Sequence, residues 1–233
     1  MKHVLFGIFA HPDDEAFGPS ATLLKEVASG TELHLVCLTD GQAGVNTLGC
    51  DDLGAVRLHE WRQACALIGA TGVYPLHYQD GGLCHGMYET LGKQVAALID
   101  AVCAAAEEPV HLRFMTMDQN GITGHLDHIA ASYLATKLFY CYKHQPPPNT
   151  VVGEIAYYCL SEAQAPADGE WTTFYTPVGR PDAYLNRRVD VRDLLPQKFA
   201  IMRIHASQSN DAEQIIGMGE DALASDNFHV VKA

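Results

Sequence analysis

Two short segments, far apart in the chain, carry residue types that hold metals and move protons. They are His11-Pro12-Asp13-Asp14-Glu15 and Gly124-His125-Leu126-Asp127-His128. An imidazole nitrogen and a carboxylate oxygen suit a borderline cation such as zinc. His11 and a neighbouring aspartate supply one of each. Adjacent aspartates point in different directions, so one can hold metal while the other faces the substrate water. If the second segment turns helical, His125 and His128 stand three apart and share a face. Three protein ligands and an open position make a catalytic rather than a structural zinc site. Each segment alone also has a plainer account. Proline followed by acids is an ordinary helix start, and the second segment fits a helix bearing surface histidines behind Gly121 and Gly124. Together, and each after a strand candidate, they favour chemistry, because open α/β sheets bind ligands beyond the carboxyl ends of their strands.

The elements that must position them are legible as apolar runs and helical spacings. Strand candidates are Val4 to Ala10, Glu32 to Thr39, Val73 to Tyr78, Val110 to Met117, Val151 to Leu160 and a short Arg188 to Val191. Helix candidates begin near Pro12 or Pro19 and cover Asp51 to Gly69, Thr90 to Ala106 and His125 to Lys143, with Asp193 capping a last one to Ala206. Acids opening the helix at Asp51 suit the positive end of its dipole. This alternation predicts an α/β fold, a largely parallel Rossmann-like sheet flanked by helices. The run Pro146-Pro147-Pro148 is followed by fewer than ninety residues, so the remainder reads as a C-terminal elaboration of one domain spanning 1–233.

Composition narrows the partners. The chain of 233 residues has 28 acids against 15 bases, a net charge of -13, and 48% hydrophobic residues. Such a chain is globular, and its charge argues against nucleic acid and against anionic membrane. Neither the apolar start nor any later segment reads as a signal peptide or a membrane span. Seven cysteines scattered singly, with no CxxC pair, read as reduced thiols in a cytoplasmic protein. A homo-oligomer is compatible with all of this. Gly7 and Gly18 make no dinucleotide fingerprint.

AHPDDE closing a strand, with GHLDH much later, resembles the PIG-L/LmbE-like N-acetylglucosaminyl deacetylases. Thr39-Asp40-Gly41, Arg57 to Glu60, Leu67-Ile68-Gly69, Tyr78 to Gly81, Lys198 and His205-Ala206-Ser207-Gln208 resemble further family segments in the same order. Residues 144 to 190 show no clear match. The resemblance implies a zinc-dependent hydrolase that removes the acetyl group from an N-acetylglucosamine derivative. It implies His11, Asp14 and His128 as ligands of one Zn2+ per chain, with Fe2+ or another divalent ion as substitutes. It further implies Asp13 as the general base, His125 as oxyanion stabiliser or proton donor, and Asp127 as the residue orienting His125. Arg57 and Asp80 are implied as contacts to sugar hydroxyls. Gln42 stands where the family often has glutamate, near the substrate, which leaves the exact sugar contacts open.

These residue types suit amide hydrolysis, which needs an activated water, a proton carrier to the departing nitrogen and a donor for the oxyanion. A protonated His125 beside a carboxylate fits the last role. His85 and Tyr88 stand on the expected ligand rim, His205 lines the site or ends a helix, and Trp171 and Tyr175 are candidates for sugar stacking. Three alternatives stand beside the deacetylase. An amidase cleaving a thiol-conjugate amide uses the same zinc site. A non-haem iron oxygenase uses two histidines and one carboxylate, although strand-helix alternation speaks against it. A sugar-binding module has no need for Asp13. The acid excess opposes a strongly anionic substrate and favours a neutral or weakly charged amino sugar.

Overall fold

The computed structural model describes residues 1–165 and 176–233. Trp171 and Tyr175 lie outside the described residues. The element order opens with β1 (Lys2–Phe9), α1 (Asp14–Phe17), α2 (Ser20–Ala28), β2 (Glu32–Thr39), α3 (Leu53–Ile68) and β3 (Gly72–Tyr78). There follow α4 (Tyr88–Ala104), β4 (Val110–Met117), a one-turn α5 (Gly121–Gly124), α6 (Leu126–His144) and β5 (Thr150–Cys159). The chain closes with β6 (Arg187–Asp190), α7 (Leu195–Ile204), α8 (Ser209–Ile216), α9 (Glu220–Leu223) and β7 (Ser225–Lys232).

The strands form one seven-stranded sheet in the order β3-β2-β1-β4-β5-β7-β6. From β3 through β5 all neighbours are parallel, whereas β7 runs antiparallel to β5 and to β6. The α/β expectation is met. β1 and β2 read as unbroken apolar runs because both faces of a parallel sheet are covered. On one face Phe6, Ile8 and Phe114 pack with Leu91, Val95 and Ile99 of α4 and Leu134 and Phe139 of α6. On the other, Leu5, Phe9, Leu33 and Leu35 meet Leu23 of α2, Leu58 and Trp61 of α3, and Ile201 of α7. Pro75 is tolerated in β3 because that strand is the sheet edge.

The order reverses between β1 and β4. After β1 the chain builds outward through β2 and β3, and after β4 it builds the other way through β5. The carboxyl ends of β1 and β4 therefore flank a crevice, the place where such sheets bind ligands. Both histidine segments leave from these two ends.

Helix α7, expected over Asp193 to Ala206, differs from that reading. It begins at Leu195 with proline in its first turn, and Asp193 does not cap it. The Asp193 carboxylate instead accepts from Lys25 Nζ at 3.0 and 3.3 Å, tying the preceding turn to α2. β7 was not foreseen. It carries the buried Asp226 and Asn227, whose partners Thr22, Lys198 and Gln164 come from distant parts of the chain.

Candidate metal centre

β1 delivers His11, Asp13 and Asp14 to the rim, all buried. Asp13 precedes α1 with φ 129°, a backbone conformation rare outside glycine. Asp14 Oδ2 accepts from the backbone N–H of Ala10 at 2.9 Å and of His11 at 3.0 Å, which locks this carboxylate onto the strand end. The second segment enters through Gly121 and Ile122, both at positive φ. α6 then starts with His125 as its N-cap, whose Nδ1 accepts from Asp127 N at 3.2 Å.

Three side chains converge. His11 Nδ1 lies 3.0 Å from His128 Nε2, His128 Nε2 lies 3.1 Å from Asp14 Oδ1, and Asp14 Oδ2 lies 4.0 Å from His11 Nδ1. Their outer partners assign the tautomers. His128 Nδ1 faces Gly121 O at 3.0 Å and must donate to it, leaving Nε2 as a lone pair. His11 Nε2 faces Asp80 Oδ1 at 3.0 Å and Asp127 Oδ2 at 3.5 Å, so a neutral His11 that carries its proton there offers Nδ1 as a lone pair. Two lone pairs and a carboxylate oxygen directed at one point repel unless a proton or a metal cation lies between them. The nitrogen and oxygen donors, with carboxylates behind a ligand histidine, fit a zinc-like ion. His125 also has a ring nitrogen within 4.8 Å of those of His11 and His128.

The protonation energetics carry the same demand for positive charge. Burial alone would depress the His11 pKa, but its contacts with Asp127 and Asp80 and the Asp14 charge lift it to about 10. Burial acts to raise Asp14, yet His128 and His11 hold it well below the usual carboxylate range. Asp13 is different. Burial pushes its pKa up to about 6, with Arg57 pulling down and Asp14 pushing up. A carboxyl group poised there is suited to accepting a proton near neutral pH. His125 is pushed below its ordinary value by burial and by the imidazoles of His11 and His128.

Several expected contacts turn inward. Arg57 is buried on α3 and donates to Asp13 Oδ2 at 2.7 Å, Gly41 O at 2.7 Å and Pro12 O at 2.9 Å. Its guanidinium fills a slot that needs glycine. A Cβ on Gly41 would sit 2.6 Å from Cζ, and one on Gly44 2.5 Å from Nη1. Asp80 faces His11 and accepts from Ala43 N at 3.1 Å. Asp127, expected to orient His125 through its carboxylate, directs that carboxylate elsewhere. Its oxygens accept from Gly81 N at 2.7 Å and Leu83 N at 3.2 Å, beside His11. The half-buried Gln42 accepts from Asp80 N at 3.4 Å. His85 is exposed and Tyr88 packs on Tyr133 with ring centroids 4.9 Å apart. His205 is fully buried behind α1.

Residues 6–139 match the family described as PIG-L: GlcNAc-PI de-N-acetylase. The chain belongs to this family. Membership makes it a deacetylase, a hydrolase of amide bonds. A 1D-myo-inositol 2-acetamido-2-deoxy-alpha-D-glucopyranoside deacetylase from Thermobispora bispora is 31% identical over 241 residues, covering 89% of this chain and 79% of its own. Among solved structures, N,N'-diacetylchitobiose deacetylase from Pyrococcus horikoshii superposes with a TM-score of 0.70 at 22% identity, covering 99% of this chain and 84% of that one. The 4-carboxy-2-hydroxymuconate hydratase of Pseudomonas putida does so at 0.71 with 17% identity, covering 99% and 96%. That scaffold therefore carries more than one reaction, and function must be argued from the site. Among the described residues, no helix is long and apolar enough to cross a membrane.

Proposed function

We propose that the protein is a zinc-dependent deacetylase that removes the acetyl group from an N-acetylglucosamine derivative. The observation carrying this is the convergence of His11 Nδ1, His128 Nε2 and the Asp14 carboxylate within 3.0–4.0 Å, beside the Arg57-bound Asp13. These three residues would hold one zinc ion, with Fe2+ or another divalent ion as substitutes. When bound, zinc polarises an acyl oxygen and lowers the pKa of water from 15.7 toward about 7. Asp13 takes the proton of the attacking water and passes it to the departing amine nitrogen. His125, with Nδ1 engaged by the Asp127 N–H, keeps its proton on Nε2 and, as a neutral imidazole, donates a hydrogen bond from it to the oxyanion. That differs from an imidazolium paired with Asp127, because burial and two neighbouring imidazoles disfavour the charge. Arg57 and Asp80 act mainly by holding Asp13 and His11, which leaves Gln42 as the more available sugar contact.

The names of the relatives support an amino-sugar substrate. The net charge of -13 favours a neutral or weakly charged one. The test is acetate release from a panel of N-acetylated amino sugars, with a thiol-conjugate amide alongside, each with and without chelator. Chelator-sensitive acetate release from the amino sugars is expected. Cleavage of the thiol-conjugate amide alone, or activity indifferent to chelator, contradicts the proposal.

A further inference from the structure

Asp13 combines an unfavourable backbone with a demanding task. Its φ of 129° is one of four positive values among the described non-glycine residues. Such a conformation persists only where surrounding contacts over-determine it. Arg57 fixes the Asp13 side chain and the carbonyl side of the Pro12–Asp13 peptide, which leaves the N–H side of that peptide to another partner. That N–H is directed at Glu15 Oε2, 3.4 Å away. Glu15 itself has no solvent exposure, although an acid in the first turn of a helix ordinarily points into water. Its other oxygen, Oε1, lies 3.2 Å from Nε2 of His205, which is equally buried. The two residues are 190 positions apart, so the histidine is brought in by the end of α7 rather than by local chain geometry. A buried carboxylate is costly unless hydrogen-bonded, and neither Glu15 nor His205 takes part in the proposed proton transfers.

We propose that Glu15, anchored by His205, is a positioning residue that holds the Asp13 backbone in the conformation from which its carboxylate works. This rests on the assignment of Asp13 as the general base. Glutamine at 15 replaces one acceptor oxygen by an NH2 donor, so Glu15→Gln loses the acceptor of either the Asp13 N–H or a His205 protonated on Nε2. His205→Gln weakens the same link from its far end. Displacements on the order of an ångström in a reacting group cost up to about 10²-fold in rate.

The test uses the full chain loaded with zinc and an N-acetylated amino sugar that the wild type cleaves. For Glu15→Gln the expected result is a kcat lower by about 10- to 10²-fold. KM should stay within about twofold and zinc at one ion per chain, with a smaller kcat loss in His205→Gln. A crystal structure of Glu15→Gln should show either Asp13 leaving positive φ or the residue 15 side chain parted from His205, with the larger kcat loss in the first case. Unchanged kcat overturns the proposal. So does a kcat loss matched by lost zinc or raised KM, which would make Glu15 a support for the ligands or the substrate. Should Glu15→Gln fail to fold, His205→Gln decides by the same kcat and KM criteria. Asp13→Asn separates the two levels. If it keeps turnover, the base assignment fails. If it is inactive while Glu15→Gln is fully active, only the positioning role fails.

Discussion

Replacing Arg57 with glutamine tests how Asp13 is prepared. The guanidinium donates three hydrogen bonds of 2.7–2.9 Å, one of them to the Asp13 carboxylate, and sits against Gly41 and Gly44. Breaking one side of a buried ion pair costs about 3–5 kcal/mol. Pro12 and Gly41 are buried and their carbonyls lose a donor as well, so the lower figure is a conservative one. A loss of about 3 kcal/mol lowers Tm by roughly 6–12 °C in a chain of this size. The pH profile must shift as well. Asp13 works ionised, so activity falls as pH drops through its pKa. Arg57 holds that pKa down against burial, and its removal raises it. The acid limb of kcat/KM therefore moves to higher pH in Arg57→Gln. Thermal unfolding and acetate release across pH 4–8 read both effects. An acid limb that stays in place, with Tm within about 2 °C of wild type, would refute the role given to the Arg57–Asp13 pair.

Other expectations follow from the same geometry. Zinc must displace the proton that the ion-free site keeps on His11 up to about pH 10. Affinity should therefore rise by up to about tenfold per pH unit below that value, with proton release seen in calorimetry; affinity independent of pH would place the ion elsewhere. Asp80→Asn removes the charge 3.0 Å from His11 Nε2 and should weaken zinc about 10- to 100-fold while the fold survives. A change confined to KM for the sugar would show that Asp80 serves the substrate instead.

Much of the frame was readable in the residues because the signals were local. β2 and β4 fall on their expected bounds, Glu32 to Thr39 and Val110 to Met117. In each case a buried apolar run ends at a turn marked by Asp40-Gly41 or by Asp118 and Gly121. α3 ends at Gly69 in the left-handed conformation that C-caps favour. What could not be read was long-range. No spacing shows that Asp80 and Asp127, 47 residues apart in number, meet at one nitrogen of His11. Nor does any pattern mark SDNFHVVK as a strand, since its buried Asp226 depends on Lys198 at 2.7 Å and Thr22 at 2.8 Å. The His205 segment was visible as a motif. Its use, packed behind α1 against Glu15, emerges only in three dimensions.

The central claim is that His11, Asp14 and His128 hold an ion while Asp13 moves the proton. The most direct measurement takes Asp13→Asn, which keeps the side-chain shape and removes the base. Bound zinc per chain and acetate turnover are determined on the same sample, with His128→Ala as the metal-ligand control. The account predicts that Asp13→Asn retains one ion and loses about 10²–10⁴-fold in kcat, whereas His128→Ala loses the ion. Full turnover in Asp13→Asn, or an undiminished ion in His128→Ala, would contradict it.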